Sequence, residues 1–292
     1  LPPQLGSVFR VQIRKMGIHV FSSNYILYGD LSRRVMETIA SVNPDIEVYS
    51  IDEAFLEVED AWATKINLHD YGQNLRKKVL QHTGIPVSIG IAATKTLAKI
   101  ANRRSKKDKE KYQGVFILEE NNRELVLKET AVADIWGVGY RHAPKLSLIG
   151  INNAWDLSLK DEKWAHKNLG GVVGVRLIKE LNGVPCKELG HGLDQKKNIA
   201  STRSFGKPVK TLSELKEAIA TYTARAAEKL RKQNSAASII SVFASSNRRN
   251  KNEQYHYESA YINLPFPTHI TSELISQASL LTEQIFWTGK SY

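Results

Sequence analysis

A single cysteine, Cys186, stands among 292 residues, so no internal disulfide is available and a reducing compartment, the cytoplasm, is the expected location. No stretch approaches the roughly 18 to 20 uninterrupted apolar residues of a spanning helix. No charged-then-apolar signal segment opens the sequence either, so no membrane role is expected. None of the eight histidines has a neighbour at metal-ligand spacing, which argues against a zinc site. Repeats and low-complexity tracts are absent, so neither a solenoid nor a disordered tail is called for. With no base paired to it in the sequence, Cys186 reads as a buried thiol rather than a nucleophile.

Acidic residues are also in short supply. Against 41 Lys and Arg there are 30 Asp and Glu, a formal charge of +11 that suits a polyanionic partner, nucleic acid before an anionic membrane. The apolar fraction of 42% and charged fraction of 24% are those of an ordinary globular protein, long enough for two or three domains. Positions 95–111 hold eight basic residues against Asp108 and Glu110.

Apolar residues at Leu27, Leu31, Val35 and Ile39 predict an amphipathic helix over 24–41, closed by Asn43-Pro44. Residues 46–58 are β-branched and aromatic, interrupted by Asp52-Glu53, and read as two strands meeting at a tight hairpin. A helix over 68–82, a strand over 85–92, a basic helix over 94–104 and a strand over 114–118 follow. This is an α+β pattern, with a first domain of residues 1–130. Residues 131–190 read as short helices jointed by glycine, with Trp136, Trp155 and Trp164 packing their core. Residues 191–202 read as a linker, and 203–292 as a third domain. Its helices are expected near 211–233 and 269–287, with strands near 199–204, 238–244 and 256–262.

Three motifs carry chemistry. In Tyr49-Ser50-Ile51-Asp52-Glu53-Ala54-Phe55-Leu56, two adjacent carboxylates sit in an apolar β run. Their mutual repulsion and desolvation are relieved by a hard divalent cation such as Mg²⁺, although an arbitrary Asp-Glu pair also reads as a solvated hairpin tip. Lys95, Lys99 and Arg103 share a helical face, either a plain solvated face or a phosphate-binding one. In Ile135-Trp136-Gly137-Val138-Gly139, followed by Lys145, a Gly-x-Gly turn lets backbone N–H groups approach a phosphate. No strand precedes it and no third glycine follows in register, so a dinucleotide fold is not indicated.

The first of these motifs resembles the palm signature of the Y-family DNA polymerases. Phe21-Ser22-Ser23-Asn24-Tyr25, with Leu27-Tyr28, Ser32, Arg34, Val35 and Met36, is similar to the bacterial UmuC branch. Gly90-Ile91-Ala92 with 94–102, then Ser201-Thr202-Arg203-Ser204-Phe205-Gly206 and 224–230, extends the resemblance over nearly the whole chain.

That resemblance implies a multi-domain α+β polymerase. Its parts are a palm at 1–130, a helical thumb with a helix-hairpin-helix at 131–190, and a little-finger DNA-binding domain at 203–292. It implies error-prone, DNA-directed translesion synthesis in DNA repair and the SOS response, with two Mg²⁺ ions. Asp52 and Glu53 would be catalytic metal ligands. Lys106 and Lys107 would meet the nucleotide, and Lys95, Lys99, Arg103, Gly137, Gly139, Lys145 and Arg203 the DNA. Primed or damaged DNA and deoxynucleoside triphosphates would be substrates, with a UmuD-like subunit, RecA filament and sliding clamp as partners. The family's first metal-binding Asp is expected N-terminal to Leu1, and a last C-terminal strand beyond Tyr292, so truncation at both ends is expected. The alternative is a catalytically incomplete DNA-binding fragment or accessory protein.

Overall fold

The computed structural model describes residues 16–19, 21–58, 65–190, 197–247 and 254–292. They form two compact units, an N-terminal one of residues 23–193 and a C-terminal one built on the described residues after 196. Residues 191–196 of the expected linker lie outside the described residues, and 197–202 carry no helix or strand.

The N-terminal unit opens with α1 (Tyr25–Ala40), where Asn24 Oδ1 accepts the Leu27 N–H at 3.1 Å as the N-cap. An antiparallel pair follows, β1 (Ile46–Val48) with β2 (Ala54–Leu56), in the register Ile46 to Leu56 and Val48 to Ala54. Helix α2 (Leu68–Thr83) is capped by Asn67 and terminated by Gly84, whose φ of +71° is the left-handed conformation that glycine adopts without a Cβ penalty. Val35 of α1 and Leu75 and Val79 of α2 close a small core against Leu56, Ile85, Val87 and Ile89.

Strand β3 (Ile89–Ala92) pairs in parallel with β4 (Val115–Leu118), and α3 (Lys95–Lys107) connects them, capped by Thr94 and followed by the single turn α4 (Lys109–Tyr112). Strand β3 is half the length expected: 85–88 carry no strand, and Pro86 among them has no N–H to offer a ladder. Then come α5 (Glu120–Lys128), a 3-10 turn at Val132–Asp134, α6 (Ala143–Leu148), α7 (Ala154–Ser158), α8 (Glu162–Asn168) and α9 (Val172–Leu181). One continuous core joins Leu97, Ile100 and Ala101 of α3 to Leu146, Leu157, Leu177 and Leu181 of these short helices. Burial of that apolar face fixes α3 beneath the sheet, which places its basic side chains.

The C-terminal unit contains α10 (Leu212–Lys232), the antiparallel pair β5 (Ala237–Ser245) and β6 (Tyr257–Thr268), and α11 (Thr271–Ile285). Its core joins Leu215 and Ile219 of α10, Val242 and Ala244 of β5, and Ala278, Leu281 and Ile285 of α11. The strand expected near 199–204 does not form; those residues carry neither helix nor strand. Among the described residues no helix is long and apolar enough to cross a membrane.

Candidate active site

The two carboxylates sit on the β1–β2 connection, which differs from the two-residue tip expected of it. Residues 49–53 form the loop, closed by the Glu53 carbonyl accepting the N–H groups of both Tyr49 and Ser50 at 3.0 Å. An Asp-Glu pair is a poor two-residue hairpin turn, and the longer loop removes that demand. Ser50 Oγ donates to Asp52 Oδ1 at 2.7 Å, which orients an otherwise exposed carboxylate. Glu53 Oε2 is 3.0 Å from Lys99 Nζ.

Lys99 is held by more than this pair. Its Nζ lies 4.6 Å from the Tyr49 ring centroid and 4.9 Å from that of Trp136. Trp136 Nε1–H donates to Tyr49 Oη at 3.1 Å, and the Tyr49, Phe55 and Trp136 rings lie within 5.7 Å of one another. Trp136 therefore packs on the carboxylate loop rather than in the core of the short helices, a correction to the sequence reading. Trp155 and Trp164 do pack against that core. Cys186 is half-buried, its thiol 3.4 Å from the Val184 carbonyl.

The whole basic stripe of α3 is internally paired. Lys95 meets Glu47, Lys99 meets Glu53, and Arg103 Nη2 lies 2.7 Å from Asp134 Oδ1. Burial opposes ionisation of Glu47, but hydrogen bonds from Lys95 and the Gly190 N–H outweigh it and hold its carboxyl below the ordinary carboxylate range. Lys106 and Lys107 end α3 exposed, with no carboxylate partner among the described residues.

A groove of about 1360 Å³ opens beside the loop. Asp52, Glu53, Lys99, Arg103, Lys106 and Trp136 line it, over an apolar floor that includes Leu56 and Ile91. Lys95 and Lys107 do not. Gly90 brings β3 against α3: a Cβ there would lie 2.0 Å from the Asn102 N and 2.3 Å from the Ala98 carbonyl oxygen. That close approach sets Lys99 and Arg103 at the groove.

Among the remaining candidates, Gly137 has φ of +96°, and the Gly139 carbonyl accepts the His142 N–H at 2.9 Å to start the turn into α6. Lys145 is exposed on that helix. Arg203, in the other unit, is exposed and donates to the Thr202 carbonyl at 2.8 Å.

Sequence reasoning passed over Glu47, Asp134, Lys187 and the fully buried Glu180. Glu180 Oε2 accepts the Thr96 N–H at 3.0 Å and the Thr96 hydroxyl, and the Glu180 carbonyl accepts from Thr94 Oγ1 at 2.9 Å. A carboxylate thereby caps the start of α3, where the helix dipole favours negative charge. The signal was present: Glu180 lies on the same face as Leu177 and Leu181.

The impB/mucB/samB family model matches residues 7–103, and the model of that family's C-terminal domain matches 196–292. The chain is 39% identical over 282 residues to protein UmuC of Salmonella typhimurium, covering 96% of this chain and 66% of that protein. It is 35% identical to protein ImpB of Salmonella typhimurium, over 96% of this chain and 67% of that one. DNA polymerase IV of Oceanobacillus iheyensis is 28% identical over 75% of this chain and 51% of its own length. The chain thus spans about two thirds of the length of its UmuC and ImpB relatives. Among solved structures, a Y-family DNA polymerase chimera of Dbh and Dpo4 shares the fold with a TM-score of 0.72 at 20% identity, covering 94% of this chain and 76% of its own. An insertion ternary complex of Dbh DNA polymerase gives 0.55 at 18%, over 97% and 78%.

Proposed function

The chain belongs to the impB/mucB/samB family, and from that premise we propose that it acts as an error-prone, DNA-directed translesion DNA polymerase of the UmuC type, in DNA repair and the SOS response. The observation that carries this reading is the pairing of Asp52 and Glu53 on a loop that opens onto a groove lined by Lys99, Arg103 and Lys106. Acidic groups suited to cations and basic groups suited to a triphosphate then face one space.

Asp52 and Glu53 offer the hard carboxylate oxygens that Mg²⁺ prefers, and they would be the metal ligands and catalytic residues of the site. Among the described residues no third carboxylate, histidine or cysteine completes a metal cluster with them, so they fit as part of a ligand set. When bound, two Mg²⁺ ions would stabilise the attacking and leaving oxygens of nucleotidyl transfer. Ser50 orients the Asp52 carboxylate, and Lys99 balances the charge of Glu53. Lys106 would offset triphosphate charge from the groove wall, with Lys107 next to it at the exposed end of α3.

For DNA, the Gly137-Val138-Gly139 turn and Lys145 would grip backbone phosphates without reading sequence, and Arg203 would do so from the C-terminal unit. Lys99 and Arg103 line the groove already paired to Glu53 and Asp134, so they would meet phosphate only by exchanging those partners. In this assignment 1–130 is the palm, 131–190 the thumb, 191–202 the linker and 203–292 the little finger. Primed DNA and deoxynucleoside triphosphates are the proposed substrates, a UmuD-like subunit, RecA filament and sliding clamp the proposed partners, and the cytoplasm the proposed location. Primer extension with Mg²⁺ tests the proposal: template-directed incorporation supports it. Salt-sensitive DNA binding with no incorporation supports the alternative of a DNA-binding accessory form.

A further inference from the structure

Beyond α9 the chain runs as 182–190 without helix or strand before passing toward the C-terminal unit. Its start is held to α9 by the Gly183 and Val184 N–H groups, which donate to the Glu180 and Lys179 carbonyls, and Lys187 Nζ lies 3.9 Å from Glu180 Oε2; three further contacts hold the rest. Lys187 Nζ lies 3.7 Å from the Trp136 ring centroid, the Glu188 carbonyl accepts from Lys95 Nζ at 2.7 Å, and the Gly190 N–H donates to Glu47 Oε2. Lys95 donates to that same Glu47 oxygen and stands 5.2 Å from the Phe55 ring centroid. Strand β1, helix α3 and the departing chain, far apart in sequence, thus meet at one ion pair.

We propose that Glu47 and Lys95 form a latch holding the departing chain against the hairpin that carries Asp52 and Glu53, and that Lys95 is a positioning residue rather than a phosphate contact. Lys95 is 12% exposed and Glu47 21%, so neither presents a free charge to a polyanion. Unlike Lys99 and Arg103, Lys95 is absent from the groove wall. All three Lys95 contacts, to Glu47, Glu188 and Phe55, lie within the N-terminal unit. Charge-assisted and partly shielded from water, this pair is stronger than an exposed one.

The consequence concerns the tether. With the latch closed, the last described contact before residue 191 is at Gly190; with it open, the last is at Lys187, which meets the Trp136 ring and the Glu180 carboxylate. A longer tether lowers the effective concentration at which the second unit meets DNA already held by the first. That last step rests on the DNA-binding reading above, whereas the latch itself does not.

The test uses the full chain with Glu47→Gln, Lys95→Met and Lys95→Arg. Amide hydrogen exchange across 184–190 should accelerate about tenfold or more in Glu47→Gln and Lys95→Met, with α2 exchange unchanged as a control for folding. Lys95→Arg, which keeps charge and reach, should retain protection. DNA affinity should fall by less than about twofold in both latch-breaking variants, with the salt slope of wild type. Unchanged exchange in Glu47→Gln overturns the latch. A salt slope lowered by about one in Lys95→Met but not in Glu47→Gln overturns it in favour of a phosphate contact. If wild type bound no DNA, the functional reading would fall while the exchange result still decided the latch.

Discussion

Glu53 Oε2 lies 3.0 Å from Lys99 Nζ, and the ammonium is held over the Tyr49 and Trp136 rings. The loop therefore carries its own counter-charge for one of the two carboxylates. Replacing Lys99 by Met keeps the apolar stem and removes the charge. It should cost about 1 kcal/mol, the combined scale of a partly exposed pair and a cation–π contact. Urea unfolding at neutral pH measures it, and an unchanged midpoint would show that the pair is incidental.

Glu180 is expected to matter more to folding than the charged residues of the groove. Its carboxylate is fully buried and satisfies both the N–H and hydroxyl of Thr96 at the start of α3. Glu180→Ala should destabilise by about 1–3 kcal/mol, the cost of leaving buried donors unpaired. In a double-mutant cycle with Thr96→Val the losses should be less than additive. Full additivity would mean that the two side chains act independently.

At Gly90 the prediction is steric. Since a Cβ would fall 2.0 Å from the Asn102 backbone nitrogen, Gly90→Ala must push β3 away from α3. The expected loss is about 3 kcal/mol, at the upper end of overpacking costs. Native-like stability of the Ala variant would show that the two backbones do not approach so closely.

Acid should open the latch. Glu47 has a carboxyl held below its ordinary range in the folded chain, so its contribution is fully present above the unfolded carboxylate value of about 4.5. It is lost as pH falls through the lower folded value. Exchange across 184–190 measured from pH 7 downward should therefore rise in wild type below about pH 4.5, relative to Glu47→Gln, in which this dependence is removed. Parallel profiles in the two proteins would refute the assignment to Glu47.

Helices α1 and α2 were legible because their signals are local. Asn24, Asn67 and Gly84 punctuate apolar residues spaced for one face. The family resemblance likewise rested on contiguous motifs. What was not legible depends on partners distant in the chain. Spacing placed Lys95, Lys99 and Arg103 on one face, yet said nothing of Glu47, Glu53 and Asp134, which meet that face and change its meaning from an open basic strip to a neutralised one. A strand was expected near 199–204 from its residue types alone, but a strand needs a neighbour to accept its hydrogen bonds. Trp136 was assigned to a core because aromatic residues usually pack there, and only folding shows that its indole N–H reaches Tyr49.

Single-turnover nucleotide incorporation on a primed template with Mg²⁺ tests the central assignment most directly, run on wild type, Asp52→Asn and Glu53→Gln with DNA affinity measured alongside. The account predicts template-directed incorporation by wild type, and its loss in both variants, with DNA affinity within about twofold of wild type because phosphate contacts elsewhere supply the binding. Incorporation that survives in both variants, or is absent from wild type, would contradict it.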